Sequence, residues 1–449
     1  MTTKRYTLIR AAARAVLVVM LTAVVPTAPA KAAEVTRVIS PGGIEAWLVE
    51  EHAIPILSVS IAFRGGATLD PAGKEGRAKM VSALLDEGAG DYDSQAFQSR
   101  LEDLAIHLGF GTGLDTFKAS LKTLTVNTDA AFEMLRLALT EARFDEEPVE
   151  RIRRQIQVRL TRLADDPDRI ARRAWFDAAF PDHVYGRPVD GTPESIAALT
   201  AADLGDFVTG QLARDRMVVA VVGDITPDRL GALLDETLGG LPATGAPLTT
   251  AKTAPAAPGR LIVVDRDIPQ SVVVFGHQGL DRADPEFYAA YVMNYILGGG
   301  GFISRLTQEV RHKRGLAYGV YSYLSPLDYA ALYFGGVATE NARVAESLEI
   351  IRAEFARMRD HGLTADELAD AKTYLTGSFA LRLDSNGKIA NFLIGIQLND
   401  LGIDYIDRRN DYIEAVTLAD VNHVAARLLD PEALQVVVVG TPEGLVTTP

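Results

Sequence analysis

The sequence predicts an α+β fold: two duplicated units, each a mainly antiparallel sheet with helices packed on one face, forming a clam-shell half. Three observations carry this. Strands and helices are interspersed along the chain and several strands come as hairpins, which favours antiparallel sheets with segregated helices. The two halves end alike, in "LTAADLGDFVTGQLARDRMVVAVVG" and "VTLADVNHVAARLLDPEALQVVVVG"; each reads L/V-T-x-A-D, an amphipathic helix, then an apolar strand closing on Val-Gly. The halves also open alike, in "PILSVSIAFRGGATLDPAGKEG" and "PQSVVVFGHQGLDRADPEFYAA", each a strand, a Gly-containing turn, an Asp-Pro element and a helix. Self-similarity at a period of roughly 200 residues is the mark of an internal duplication.

Taken in order, the first unit predicts strands at Ala46–Glu50, Leu57–Arg64, His107–Leu114, Phe117–Val126 and Val218–Gly223. These are β-branched or alternating runs bounded by turn residues. Helices are predicted at Glu75–Leu85, Ser94–Leu104, Thr128–Glu141, Pro148–Ala164, Arg169–Phe180 and Ala201–Leu212 from apolar residues recurring at helical spacing. In the second unit Ile303–Lys313 suits a helix ended by Gly315, and Ala317–Leu324 a strand; "SPLD" at Ser325–Asp328 reads as a short hairpin loop.

The stretch "LPATGAPLTTAKTAPAAPGR" has neither helical nor strand period and reads as a linker that would permit a hinge. The division is therefore 1–33 leader, 34–240 first unit, 241–260 linker and 261–449 second unit. The leader has Lys4, Arg5, Arg10 and Arg14 before an apolar run from Ala15 to Val25, then A-x-A at Ala28–Ala30 or Ala30–Ala32. That is the pattern of a secretory signal peptide, and the apolar run is short for a membrane span. The expectation is an exported, periplasmic protein.

Composition closes off several function classes. A hydrophobic fraction of 48% and a charged fraction of 23% exclude bulk disorder. With no cysteine there is no disulfide and no thiol nucleophile. The formal net charge is −14, and losing the five basic residues of the leader, which holds no acid, takes it to −19. An acidic surface repels phosphate backbones, so nucleic acid is not an expected partner. There is no G-x-S-x-G elbow, and the four glycines Gly298–Gly301 are not followed by G-K-[ST]. His52, His107, His183, His277, His312, His361 and His423 fall at no ligand spacing and read as surface or satisfied core histidines.

Two stretches carry chemistry. In "GGGGFISRLTQEVRHKRGLAYGV", Arg311 falls in the last helical turn and Tyr318 early in the strand, so the turn at Gly315 can bring both to one spot. A forked guanidinium and a phenol suit a peptide carbonyl or the oxyanion formed when it is attacked. Read blandly, Arg311 caps helix carbonyls and Tyr318 packs on a core. In "EGRAKMVSALLDEG", Lys79 and Ala83 are four apart and share a helix face.

Together these stretches resemble the pitrilysin (insulinase-like) and mitochondrial-processing-peptidase family of zinc peptidases. The second matches G-G-x-x-S-R-L-x-x-x-x-R-x-x-x-G-L-A-Y at Gly300, Gly301, Ser304, Arg305, Leu306, Arg311, Gly315, Leu316, Ala317 and Tyr318. The resemblance covers about Val35 to Val446. It implies that Arg311 and Tyr318 hold the substrate backbone and polarise the scissile carbonyl, with Gly298, Gly299, Gly300 and Gly301 as a flexible substrate-binding lip. In that family the first unit carries the inverted zinc motif H-x-x-E-H, with a further carboxylate ligand from a later helix. Here the motif positions read Lys79-Met80-Val81-Ser82-Ala83, and the stretch between Glu150 and Asp165 holds five arginines and no carboxylate. Lys79, Ser82 and Ala83 offer zinc no ligand set.

Some family members divide the work between two similar chains. The expectation is thus the non-zinc-binding subunit of a heterodimeric periplasmic zinc metalloendopeptidase, inactive alone, with no metal or cofactor of its own. Zinc belongs to a partner subunit carrying H-x-x-E-H. Substrates would be extended peptides adding a strand to a sheet edge. The alternative is a purely structural or peptide-binding homologue, like the core proteins of a respiratory complex; a peptidase acting alone is opposed by the missing ligands.

Overall fold

In the computed structural model, residues 34–448 are described; the leader reading lies outside them. Within them one sheet has six strands: β1 (Thr36–Ile39), β2 (Glu45–Glu50), β3 (Ile56–Arg64), β4 (His107–Thr112), β5 (Thr116–Leu124) and β6 (Met217–Gly223), in the order β1-β2-β6-β3-β5-β4. The other has five: β7 (Leu261–Asp265), β8 (Gln270–Gln278), β9 (Ala317–Pro326), β10 (Ala331–Glu340) and β11 (Gln435–Gly440), ordered β7-β11-β8-β10-β9. Leaving out β1, the two orders are the same. Even the single parallel pair recurs, β2 with β6 and β7 with β11. The α+β class and the duplication are both present.

The helices of the first repeat are α1 (Arg77–Ser82), α2 (Ser94–Asp103), α3 (Thr128–Thr140), α4 (Glu146–Leu163), α5 (Pro167–Ala179), α6 (Pro193–Ala198), α7 (Ala201–Gln211) and α8 (Pro227–Leu238). Those of the second are α9 (Phe287–Asn294), α10 (Val344–His361), α11 (Ala365–Gly377), α12 (Asn386–Leu398), α13 (Tyr405–Glu414) and α14 (Leu418–Leu428). The repeated T-x-A-D is a capping box. Thr200 accepts from Asp203 N at 3.2 Å while Asp203 reaches back to Thr200 N at 2.8 Å, and Thr417 and Asp420 do the same at 3.2 and 2.8 Å. No helix among the described residues is long and apolar enough to cross a membrane.

Each repeat's own helices cover one face of its sheet and close an apolar core. The other face of each sheet is covered by a helix lent by the other repeat. Helix α5 lies on β11 and β8, and α12 lies on the equivalent strands β6 and β3. At the first crossing Trp175 is fully buried and its indole N–H donates to Gln435 O at 3.1 Å, while Gln435 Nε2 donates to Trp175 O at 2.9 Å. At the second, Gln397 Nε2 donates to Val219 O at 3.0 Å and Arg64 Nη1 to Leu398 O at 2.7 Å. The repeats are interlocked by this exchange, which no local pattern announces.

Three expectations are corrected. Helix α1 is shorter than Glu75–Leu85: past Ser82 the bonds tighten to i−3, Ala83 N to Met80 O at 3.2 Å and Leu84 N to Val81 O at 2.9 Å. The hairpin loop is displaced by two residues from "SPLD": β9 runs on to Pro326, and Leu327 N to Ala330 O at 3.1 Å closes the turn. The segment 241–260 is extended but strapped down. Ala246 N donates to Gly210 O at 2.8 Å, Thr253 N to Tyr329 O at 2.7 Å, Ala256 N to Ala179 O at 2.8 Å and Gly259 N to Ala433 O at 3.1 Å. Bonds to both repeats along its length oppose a hinge there.

Candidate functional site

The glycine run follows α9 as a wide turn, Tyr295–Gly299, and continues as a 3₁₀ turn at Gly301–Ile303. A second wide turn, Thr307–His312, replaces the ordinary helix expected at Ile303–Lys313. Its bonds slip to i−5, as in Lys313 N to Gln308 O at 3.0 Å, a register found often at functional sites. Gly315, left-handed at φ +63°, reverses the chain; its N–H donates to Arg311 O at 2.8 Å, and Leu316 N to Val310 O at 2.9 Å. The chain then enters β9, an edge strand.

This reversal brings Arg311 and Tyr318 together. The guanidinium carbon lies 4.6 Å from the Tyr318 ring centroid and 4.8 Å from that of Phe302. Tyr318 is 85% exposed. Of the cations here, Lys313 and Arg314 both pair with Glu309 at 2.6 Å, whereas no carboxylate lies within 4 Å of Arg311 among the described residues. A guanidinium stacked on ring faces keeps its in-plane N–H donors for a ligand. Phe302 is a site residue that sequence reasoning missed; the signal was an aromatic directly after the glycines.

The other motif residues build the frame. Ser304, Leu306, Leu316 and Ala317 are buried. Ser304 Oγ donates to Gly301 O at 2.9 Å, and Arg305 grips Glu367 through Nε and Nη2, both at 2.7 Å. Burial works against ionisation of Glu367, but Arg305 and the Thr364 N–H outweigh it and hold its carboxyl at about 2. The folded value lies below the ordinary one. The stabilisation is therefore present above the ordinary glutamate range and is lost as pH falls toward about 2. Thermal melts of Glu367→Gln and the native chain should differ by a constant amount near neutrality, and the gap should close between about pH 4 and pH 2; a gap unchanged at acid pH contradicts the pairing.

The glycine run divides. Gly299 and Gly301 reach the surface, Gly300 is partly covered, and Gly298 is packed under β9. A Cβ on Gly298 would stand 2.2 Å from Ser322 Oγ, which hydrogen bonds to Asn294 Oδ1 at 2.8 Å and Tyr333 Oη at 2.9 Å. Gly298→Ala should cost about 1–3 kcal/mol by overpacking, read as a lower urea midpoint.

In the first repeat, Lys79 on α1 and Ala83 at its C-terminal cap are both partly exposed. Ser82 is buried and its hydroxyl donates to Lys79 O at 2.8 Å. Burial, Arg159 and Arg169 all disfavour charge on Lys79 and lower its pKa. An ammonium, a methyl and a hydroxyl committed to backbone, beside two guanidinium groups, do not fit a divalent cation. Among the described residues no group of three His, Asp or Glu side chains is placed to hold a metal. Of the histidines, His277 is buried with Nδ1 2.6 Å from Gln278 O and no partner for Nε2, so it is only half satisfied.

The two stretches are linked through α5. Its Arg172 donates to Tyr321 Oη at 3.0 Å and Tyr323 Oη at 3.1 Å on β9, the strand of Tyr318. One turn earlier, Arg169 pairs with Asp190.

A mixed α+β duplication with a degenerate inverted motif in one repeat and an Arg/Tyr pair in the other defines a zinc-peptidase-like protein whose inverted-motif positions Lys79, Ser82 and Ala83 offer zinc no ligand set. The model of the family described as "Peptidase M16 inactive domain" matches residues 198–375. An uncharacterized zinc protease of Streptomyces coelicolor is 29% identical over 409 residues, covering 88% of this chain and 87% of the relative. A "non-peptidase homolog" of Helicobacter pylori is 27% identical over 356 residues, covering 78% and 82%. The crystal structure of a peptidase M16 inactive domain from Pseudomonas fluorescens superposes with a TM-score of 0.85 at 26% identity, covering 93% of this chain and 99% of that one. The chain is thus similar to M16 peptidases and to their inactive-type homologues, in agreement with the pitrilysin-like motifs.

Proposed function

We propose that this chain is the zinc-free subunit of a two-chain periplasmic endopeptidase, contributing Arg311 and Tyr318 to a site whose zinc resides on an H-x-x-E-H partner. The observation that carries this reading is the pairing of Arg311 with Tyr318 at 4.6 Å, on the surface and without a competing carboxylate within 4 Å among the described residues. A pair serving only as scaffold would gain stability from full burial or an ion pair; here Arg311 is only half-buried, Tyr318 is exposed, and no carboxylate pairs with Arg311 within 4 Å among the described residues. The role is transition-state stabilisation: in-plane guanidinium N–H groups and a phenolic O–H donate to the oxygen that gains charge as the peptide carbonyl is attacked. The glycine lip and the open edge of β9 supply backbone for an extended substrate. The "non-peptidase" name of the Helicobacter relative supports inactivity of such a chain alone.

The test is reconstitution. Mixed with an H-x-x-E-H homologue from the same organism, the chain should raise peptide hydrolysis on the order of a hundredfold over either chain alone. Stable association without any gain would transfer support to the binding-only reading.

A further inference from the structure

The degenerate motif has a surrounding that loss of zinc does not explain. Arg159 and Arg169, from α4 and α5, converge on one nearly buried carboxylate, Asp190; Arg159 Nη2 lies 3.8 Å from Oδ1, and Arg169 Nη2 contacts Oδ2. Both guanidinium groups are close enough to Lys79 to disfavour its charge. Among the described residues no carboxylate lies within 4 Å of the Lys79 ammonium. Two guanidinium groups therefore share one acid and Lys79 has none within ion-pair distance among the described residues, in a chain whose net charge is −14. Uncompensated like charges destabilise a protein unless an anion is bound there. Asp166 acts on Arg169 through space, but its carboxylate is engaged as the cap of α5, accepting from Arg169 N, and forms no ion pair with Lys79 or Arg159.

The space is suited to a chain segment. Helix α4 presents Arg154, Arg159 and Arg162 along an open groove of about 470 Å³, with Gln155 and Val158 between them. At the C-terminal cap of α1, four residues beyond Lys79, Ala83 offers only a methyl group. Through Arg169 and Arg172 on α5, the cationic patch is joined to β9, the strand that carries Tyr318.

We propose that the vestigial zinc position is a carboxylate-binding site, in which Lys79 and Arg159 hold the acidic side chain of an extended peptide. This rests on the peptide-binding reading above and names its substrate class: peptides with Asp or Glu. Where the resemblance places metal ligands, this chain has Lys79 flanked by Arg159 and Arg169, which suits a negative group rather than a positive ion.

Two short labelled, unstructured peptides, identical except for a central Glu or Gln, test this by fluorescence anisotropy on the full chain at low salt. The Glu peptide should bind about tenfold more tightly, the scale of a charge-assisted contact. Lys79→Met and Arg159→Gln should each shrink that ratio, the double variant should abolish it, and Lys79→Glu should turn preference toward a Lys-bearing probe. Thermal melts establish that each variant is folded. Arg311→Ala should weaken both peptides alike and leave the ratio intact, so failure of the Arg311–Tyr318 reading stays distinguishable. Equal affinity of the native chain for both peptides, no binding of either, or a ratio preserved in the double variant overturns the proposal.

Discussion

Replacing Arg311 with alanine in the assembled two-chain peptidase is expected to lower kcat/KM by about 10²–10³, the effect of removing one oxyanion donor. The loss should fall on kcat. If Arg311 gripped ground state and transition state equally, KM would rise with kcat unchanged. Arg311→Lys should rescue only partly, because an ammonium keeps the charge but neither the fork nor the stacking on Phe302 and Tyr318. Tyr318→Phe preserves the ring under the guanidinium and removes only the hydroxyl, so it separates donation from stacking. Association with the partner, followed by size-exclusion chromatography, should persist in all three. Full activity in both Arg311→Ala and Tyr318→Phe would leave the site without its proposed role.

The second large effect is on stability. Trp175→Ala should cost about 3–5 kcal/mol, the usual range for deleting a large buried aromatic. Trp175 stands edge-on to Phe334 at 4.8 Å, and Gly276 makes room for it, since a Cβ there would lie 3.0 Å from Trp175 Cζ2. Truncation leaves a cavity between α5 and the second sheet and leaves Gln435 O without its indole donor. Because α5 is lent across the repeats, the damage should appear as a lower urea midpoint for the whole chain, monitored by far-ultraviolet circular dichroism. A change below about 1 kcal/mol would mean that the exchanged helix contributes little to cohesion.

The strands were legible because their apolar runs and turn residues are local signals. Predicted Leu57–Arg64 and Val218–Gly223 became β3 and β6 within a residue. The repeat was legible because T-x-A-D caps recur with their strands. What remained hidden was non-local or rested on hydrogen-bond register. Nothing within Pro167–Ala179 says that its apolar face belongs to the other repeat. A slip from i−4 to i−5 around Arg311 leaves the apolar spacing almost unchanged. Strand β1 is only four residues long and went unread. At the site, the motif located Arg311 and Tyr318, and the arginine-rich stretch of α4 was visible as a loss of carboxylates. Its meeting with Lys79 and Arg169 depends on how α1, α4 and α5 pack, which sequence spacing does not encode.

The central claim is that this chain has surrendered the metal-bearing half of a hydrolytic centre and kept the half that grips the carbonyl. Native mass spectrometry of the purified chain, with and without its H-x-x-E-H partner, measures this directly. The account predicts no zinc on the chain alone and one zinc per heterodimer, removed when the partner's motif is mutated. One tightly held zinc on the isolated chain would contradict it.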